Sequence, residues 1–191
     1  FRTVMVDPDK LACIKQFLTT SGWIEGPMSV SFIAAGEYNA NYLINGEKDS
    51  FVLRINHGSQ LGLGQNQIAY EFKVLQALIG SGVTPQPIAC HPHPDPLGGG
   101  ALLMTYLTGK PLVYQRDLNR AAHILARIHM VPVPDGLVVQ ADPVMEIARE
   151  SEGLFNRFPD HPLQKERNQI RVYHDTILEL AERFIGERFH R

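Results

Sequence analysis

The sequence predicts an α+β fold in which a five-stranded antiparallel sheet with a flanking helix precedes a helical region. Three observations predict it. Three β-rich segments follow one another across short turns, a helical segment then separates them from two more apolar segments, and the pattern after Asp117 is helical. Because short turns join antiparallel neighbours, we expect the first three strands to form a meander.

The first element is an amphipathic helix. Asp7 and Pro8 are a typical helix start, since an aspartate side chain accepts a hydrogen bond from the first turn and proline tolerates the first helical position. Apolar residues then recur at helical spacing as far as Gly22, which is expected to end the helix.

Three strands are predicted next. Ser29–Ala35 and Asn41–Asn45 are β-rich and are separated by the turn Gly36–Asn39. Asn45 and Gly46 open a second turn, and Phe51–Ile55 is the third strand.

A helix and two strands complete the predicted sheet region. Ile68–Ile79 carries apolar residues at helical spacing, and Gly80 and Gly82 are expected to end it. Pro87–Cys90 and Ala101–Tyr106 are the last two predicted strands. The pattern then becomes helical, so we predict two lobes, residues 1–107 and residues 108–191.

The composition is that of an ordinary globular protein, with 44% hydrophobic and 20% charged residues among 191. The formal net charge of -2 offers no basic surface to nucleic acid or anionic lipid. No apolar run approaches the ~20 residues that span a bilayer. We therefore expect no nucleic acid and no membrane as partner, and a cytoplasmic location. Cys13 and Cys90 are expected to be free thiols.

Four features could carry chemistry, and each also has a plain structural interpretation. Gly36 lets backbone N–H groups approach an anion, or it belongs to an ordinary hairpin. Arg54 lies in an apolar strand and points either to solvent or into a cleft. Glu71 lies at the edge of a buried helix stripe, where it meets a cation on the next strand or stays solvated. The strand end at Leu102–Gly109 can bind a flat heterocycle, or it simply connects two lobes.

The order of these features is more specific than any one of them, because it is the layout of a kinase N-lobe. The segments concerned are Gly36–Ile44, Phe51–Asn56, the helix with Glu71, Leu103–Gly109 and Leu125–His129. They resemble the aminoglycoside phosphotransferase and choline kinase-like family, which has a protein kinase-like fold. The resemblance covers about Val30 to His129. It implies that residues 1–107 are a nucleotide-binding lobe and that residues 108–191 begin a helical C-terminal lobe.

The resemblance implies ATP-binding roles for nine residues. Four turn residues would cover the phosphates with backbone N–H groups, namely Gly36, Glu37, Tyr38 and Asn39. Arg54 would replace the lysine usual in the third strand and contact the α- and β-phosphates, and Glu71 would pair with it.

The remaining three residues belong to the adenine end of the implied site. Met104 would back the adenine pocket. The Thr105 carbonyl and the Leu107 N–H would bond the adenine N6 and N1 atoms.

The chain departs from the family pattern at one point, because no His-Gly-Asp catalytic loop occurs in the 191 residues. In the family this loop follows the helix that ends with His129 after an insert of about sixty residues. We therefore expect it, together with the Mg²⁺ ligands, beyond Arg191. No catalytic and no metal-binding residue is assigned within the chain.

The function implied is ATP-dependent transfer of a phosphoryl group to a hydroxyl of a small molecule, with the chain as a fragment that is itself inactive. The alternative is a nucleotide-binding pseudokinase or a regulatory or interaction module without catalysis. Four acidic residues of the helical region could attract a cationic substrate, although solvated helix flanks are the preferred interpretation: Asp142, Glu146, Glu150 and Glu152. His91 and His93 are more typical of a turn than of a metal site.

Overall fold

The computed structural model of the protein describes residues 7–59, 62–140, 142–160, 162–181 and 189–190. Within these residues the elements follow in the order α1 (Pro8–Thr20), β1 (Ser29–Ala35), β2 (Asn39–Asn45), β3 (Ser50–Asn56), α2 (Gln67–Leu78), β4 (Pro87–His91), β5 (Gly100–Thr105), α3 (Tyr114–His129), β6 (Val139–Gln140), α4 (Pro143–Arg157), α5 (Gln164–Ala181) and β7 (Phe189–His190). None of the described helices combines the length and the apolar character that crossing a bilayer demands.

The chain divides into two compact units, Phe1–Asp135 and Gly136–Arg191. The first unit holds α1 to α3 and the strands β1 to β5. The second holds α4, α5 and the short antiparallel pair of β6 with β7, a pairing that sequence analysis did not predict. The lobe boundary predicted between Leu107 and Thr108 is a different division and stays a prediction.

The first unit is built on one antiparallel sheet with the strand order β1-β2-β3-β5-β4. The predicted α+β fold with a five-stranded antiparallel sheet is therefore confirmed. The strand β5 lies between β3 and β4, and its side chains pack into cores on both faces of the sheet, which explains its nearly uninterrupted apolar sequence.

A helix covers each face of this sheet. On one face α1 contributes Ile14 and Leu18, both fully buried, to a core that includes Leu53 and Ile55 of β3. This helix starts as predicted, because the Asp7 side chain accepts a hydrogen bond of 3.0 Å from the Asp9 N–H. Sequence analysis predicted this helix but expected a single helix to flank the sheet.

On the other face α2 packs through Ile68 against Leu102 and Met104 of β5. Val52 of β3 and Cys90 of β4 border this smaller cluster. Burial there raises the pKa of the Cys90 thiol, because a low-dielectric surrounding disfavours the thiolate. In β3, β4 and β5 alternate residues thus belong to two separate cores, one below α1 and one below α2.

The helix α3 begins at Tyr114, before the predicted start at Asp117. The Asp117 carboxylate accepts a hydrogen bond of 3.0 Å from the Val113 N–H and pairs with Arg116 at 2.8 Å. The hydrogen bond from Arg116, followed by the one from Val113, lowers the pKa of Asp117. The Asp117 side chain, where the helical pattern was predicted to begin, therefore caps the first turn of α3 from within the helix.

In the second unit α4 and α5 form a hairpin. Phe155 of α4 lies between aromatic and cationic neighbours on α5, with the guanidinium of Arg171 4.6 Å from its ring centre and the ring of His174 in edge contact. The Nε2–H of His174 donates to the Ala148 carbonyl at 3.0 Å. The apolar residues at helical spacing continue in the sequence beyond Ala181 to Phe184, but residues 182–188 lie outside the described part of the chain.

Candidate functional site

A cleft opens on the α2 side of the sheet, where β5 ends. It has a volume of about 330 Å³, near the lower end of the ~300–1,000 Å³ typical of small-molecule sites. We call it the β5 cleft. Its lining residues are Ile33, Asn41, Val52, Arg54, Pro85, Met104, Thr105, Tyr106 and Leu107.

Arg54 reaches the β5 cleft through strand alternation. Its neighbours Leu53 and Ile55 are fully buried in the core below α1, so Arg54 lies on the opposite face. There it stands beside Asn41 of β2 and Leu102 of β5 in the sheet register. Its side chain is 32% exposed. Of the two placements left open by the sequence, the structure has the one in the cleft.

Glu71 meets Arg54 directly. Arg54 Nη1 donates to Glu71 Oε2 at 2.8 Å, and the carboxylate is 19% exposed. The helix α2 follows β3 and crosses the same face of the sheet, so its carboxylate approaches the strand from above. Charge-assisted hydrogen bonds of this length are among the strongest that side chains make.

Two further polar side chains hold this ion pair. Asn41 Oδ1 accepts a hydrogen bond of 3.2 Å from Arg54 Nε, and Gln67 Nε2 donates to Glu71 Oε1 at 3.2 Å. Sequence analysis missed both residues. Asn41 could have been found from the register of the β2–β3 hairpin, and Gln67 from its position one helical turn before Glu71.

The turn between β1 and β2 is tied to its surroundings. The Gly36 N–H donates to the Asn39 carbonyl at 2.8 Å, so this group is already used inside the turn. The Tyr38 carbonyl accepts from the His57 N–H at 2.8 Å, and Asn39 Oδ1 accepts from Asn56 Nδ2 at 2.9 Å. Such bonds fix the turn against the end of β3.

The four turn residues differ in how they are placed. Gly36 and Glu37 are exposed, whereas Tyr38 and Asn39 are half-buried. The Tyr38 ring covers Gly58, where a Cβ atom would come within 2.6 Å of the ring. Gly36 has no positive φ angle, and a Cβ atom there would meet nothing within 4 Å. None of the four residues is among those that line the β5 cleft.

Ile33 enters the cleft through an irregularity in β1. The register between β1 and β2 shifts between Phe32 and Ala34, so Ile33 has no partner in β2 and faces the cleft. Sequence analysis predicted the strand but not this bulge, which has no signal in the residue types.

At the end of β5 some backbone groups are hydrogen-bonded and others are not. The Thr105 N–H and Oγ1 are both bonded to the backbone of Gln86 at 2.9 Å. The Tyr106 N–H donates to the Ser50 carbonyl at 3.0 Å. In the described part of the chain nothing accepts from the Leu107 N–H, and Leu107 is 55% exposed. The cleft therefore ends on a free backbone donor.

Met104 forms the inner wall of the cleft. It is 5% exposed, stands opposite Val52 in the register of β3 and β5, and packs against Ile68. Met104, Thr105, Leu107 and Arg54 thus all line one cleft, and Glu71 lies behind Arg54.

Two other predicted features have structural roles. The His91 Nδ1 accepts a hydrogen bond of 3.2 Å from the His93 N–H, as in a turn. Asp142 caps α4 by accepting from the Met145 N–H at 3.1 Å, and Glu152 pairs with Arg171 at 3.1 Å.

A metal site is a separate question. Across the described segments no group of three or more His, Cys, Asp or Glu residues could hold a metal ion. We derive no step through a metal ion.

Comparison with known proteins identifies the family. Residues 29–185 match the phosphotransferase enzyme family (APH), so the chain belongs to that family. The predicted recognition is thereby confirmed. Comparison with curated proteins gives no significant match.

The chain is also similar to several solved structures. Choline kinase from Cryptosporidium parvum Iowa II superposes with a TM-score of 0.51 at 16% identity, over 87% of this chain and 48% of that one. A putative aminoglycoside phosphotransferase from Ralstonia eutropha JMP134 gives 0.49 at 17% identity, over 78% and 47%. Spectinomycin phosphotransferase, solved with ADP and spectinomycin, gives 0.45 at 15% identity, over 81% and 50%. The chain spans about half the length of these proteins.

Proposed function

We propose that this chain is the nucleotide-binding part of an ATP-dependent phosphotransferase that acts on a hydroxyl group of a small molecule. Membership of the phosphotransferase enzyme family supports phosphoryl transfer in general. The observation that carries the proposal for nucleotide binding is the position of Arg54. Its guanidinium lines the β5 cleft and is held by Glu71. Its Nη2 donors meet no described residue, so they are free to bind a phosphate.

The other end of the cleft suits the adenine ring. Ile33, Val52 and Met104 supply apolar side chains, which suit the faces of a flat heterocycle. The Leu107 N–H is an unused donor at the rim, and a ring nitrogen of adenine is an acceptor. An adenine ring bound there would direct its ribose and phosphates along the cleft toward Arg54.

The proposed part of Gly36, Glu37, Tyr38 and Asn39 is to cover the phosphates from the β1–β2 turn. Gly36 supports this role, because neither its φ angle nor any neighbouring atom requires a glycine. A glycine that the fold does not require is consistent with space kept for a ligand. The Gly36 N–H itself is used in the turn, so the contact would come from the N–H groups that follow.

The acceptor is proposed only as a small molecule that carries a hydroxyl group. Two of the acidic residues that could have attracted a cationic substrate are occupied, Asp142 as a helix cap and Glu152 in an ion pair with Arg171. They lend no support to a cationic acceptor. The cytoplasmic location expected from the sequence stays a prediction.

The competing proposal is a nucleotide-binding pseudokinase or a regulatory or interaction module. It is favoured by one observation, the absence of a His-Gly-Asp triplet from the 191 residues. A pseudokinase would share the nucleotide site with the enzyme, whereas an interaction module would not need it, and no general base is assigned within this chain. The reading frame that follows Arg191 separates the two, because an enzyme requires that triplet and its metal-binding aspartate.

Titration calorimetry of the chain with Mg-ATP, ADP and adenosine tests the proposal. We expect all three to bind, and the two nucleotides to bind more tightly than adenosine because only they reach Arg54. Absence of binding by all three ligands to the folded chain would refute a nucleotide site. Binding of ATP combined with phosphoryl transfer by the complete protein would favour the enzyme over the pseudokinase.

A further inference from the structure

The ion pair at the β5 cleft is the middle of a longer chain of hydrogen bonds. Gln67 is the first residue of α2, is 6% exposed and reaches Glu71 from one helical turn away. A buried amide is costly unless its hydrogen bonds are satisfied. Both ends of this side chain are satisfied, because Gln67 Oε1 accepts from Ser59 Oγ at 3.0 Å.

The orientation of the Gln67 amide follows from its neighbours. The Glu71 carboxylate only accepts hydrogen bonds, so the Gln67 NH₂ group must face it. The Gln67 oxygen therefore faces Ser59 and accepts the single hydroxyl proton of that residue. Ser59 Oγ in turn accepts a hydrogen bond of 2.6 Å from the Leu63 N–H. The loop before α2 and the carboxylate thus hold Gln67 from both sides.

Asn41 acts on the other side of Arg54. It stands opposite Arg54 in the register of β2 and β3 and accepts from its Nε. Glu71 accepts from Nη1. Two bonds in the plane of a rigid guanidinium fix both its position and its rotation. The part of the guanidinium that neither residue binds is Nη2.

We propose that Gln67 and Asn41 are positioning residues for nucleotide binding. Gln67 immobilises Glu71, Asn41 and Glu71 together immobilise Arg54, and the guanidinium then presents its Nη2 edge to the β5 cleft before a ligand arrives. This inference rests on the proposed function, since it assigns to Arg54 a phosphate as its ligand. Preorganisation of this kind raises affinity because the side chains lose little freedom on binding.

Substitution of Gln67 by Met keeps the length of the buried side chain and removes its amide. We expect Gln67→Met to weaken Mg-ATP binding about three- to tenfold, the range for releasing one or two immobilised side chains. Adenosine affinity should change by less than about twofold, because adenosine has no phosphate. Asn41→Ala should give a loss of similar size for Mg-ATP.

A double-mutant cycle separates positioning from a general structural effect. In an Arg54→Ala background, Gln67→Met should change Mg-ATP affinity by less than about twofold, because the residue that it positions is gone. An equal loss in both backgrounds, or an equal loss for adenosine, would overturn the inference. Gln76→Met on an exposed part of the same helix and Asn45→Ala at the end of β2 are the matched controls.

The outcomes also distinguish this inference from the proposed function. If Arg54→Ala weakens Mg-ATP binding but Gln67→Met and Asn41→Ala do not, only the positioning role is refuted. If Arg54→Ala has no effect, the phosphate site itself is refuted. Should Gln67→Met fail to fold, Ser59→Ala replaces it, since it removes the hydroxyl that orients the amide, and a smaller loss for Mg-ATP alone is expected.

Discussion

Replacement of Arg54 by alanine is the most direct perturbation of the proposed nucleotide site. The substitution removes the only cation among the described residues that line the β5 cleft. Arg54 does not belong to the main core below α1, so loss of its side chain should leave the fold intact. We therefore expect a binding defect without unfolding.

The size of the defect follows from the ion pair. A charge-assisted hydrogen bond contributes about 1.5–3 kcal/mol, so its loss weakens Mg-ATP binding roughly ten- to a hundredfold. Glu71 is then left without its partner at 2.8 Å. With one hydrogen-bond length on each side of the missing guanidinium, a phosphate would lie about 8 Å away and be repelled by about 2 kcal/mol at an effective dielectric constant of about 20. Both effects have the same sign, so tenfold is the minimum expected.

Two companion variants sharpen the test. Glu71→Gln should cause a smaller loss, because an amide oxygen still accepts from Arg54. Combining it with Arg54→Ala should recover part of the affinity, since the unpaired carboxylate is removed. Arg116→Ala is the control, because Arg116 forms an ion pair of the same 2.8 Å with Asp117 but does not line the cleft.

Titration calorimetry with Mg-ATP and adenosine is the assay, with thermal melting to verify the fold. Adenosine affinity should stay within about twofold of wild type, because its contacts would lie at the end of β5. Equal Mg-ATP affinity for wild type and Arg54→Ala would end the assignment of Arg54 to the phosphates. Equal losses for both ligands would mean that the substitution had deformed the cleft.

Three other expected results concern the turn, a helix start and a thiol. Gly36→Ala should leave the melting temperature unchanged, since a Cβ atom there meets nothing within 4 Å, but should weaken Mg-ATP binding severalfold. The control Gly80→Ala, where a Cβ atom also meets nothing, should change neither the melting temperature nor the affinity. A change of melting temperature in Gly36→Ala alone would contradict this prediction. Asp117, whose pKa is lowered chiefly by Arg116, should stabilise the start of α3 at pH values above its ordinary pKa of about 3.9, and this contribution should be lost as the pH falls through the lowered value of the folded state. An NMR titration in which Arg116→Ala fails to raise the pKa of Asp117 would refute that cause. Cys90, whose pKa is raised by burial, should be alkylated more slowly than glutathione at pH 8 and lose this protection in urea; equal rates in the folded protein would show an accessible thiolate.

Most of the local structure is predictable from the sequence because it depends on neighbours along the chain. The strand Ser29–Ala35 occurs with the predicted bounds, and the cap formed by Asp7 starts α1 as expected. Hydrophobic periodicity and turn residues determine local structure over a few positions, so this structure depends little on the rest of the chain. The predicted start of α3 at Asp117 was wrong, because an aspartate can cap a helix from inside its first turns as well as from the position before it.

The cleft is less predictable, because its residues come from separate strands. The resemblance to the family named Arg54 and Glu71, but nothing in the local pattern reveals that Asn41 stands beside Arg54 or that Gln67 is buried behind Glu71. Ile33 enters the cleft only because β1 slips by a residue against β2. Each of these positions is determined by the pairing of distant segments.

The sequence by itself determined the class of fold, the order of the strands and helices that build the five-stranded sheet, and the family to which the chain belongs. Only the tertiary structure decided which face of the sheet holds Arg54, because alternation shows merely that Leu53 and Arg54 point in opposite directions. The packing of the two helices determines which face of the sheet each side chain of β3 occupies. Leu53 and Ile55 of β3 pack into the core below α1, and α2 places Glu71 over the other face, where its half-buried carboxylate pairs with Arg54.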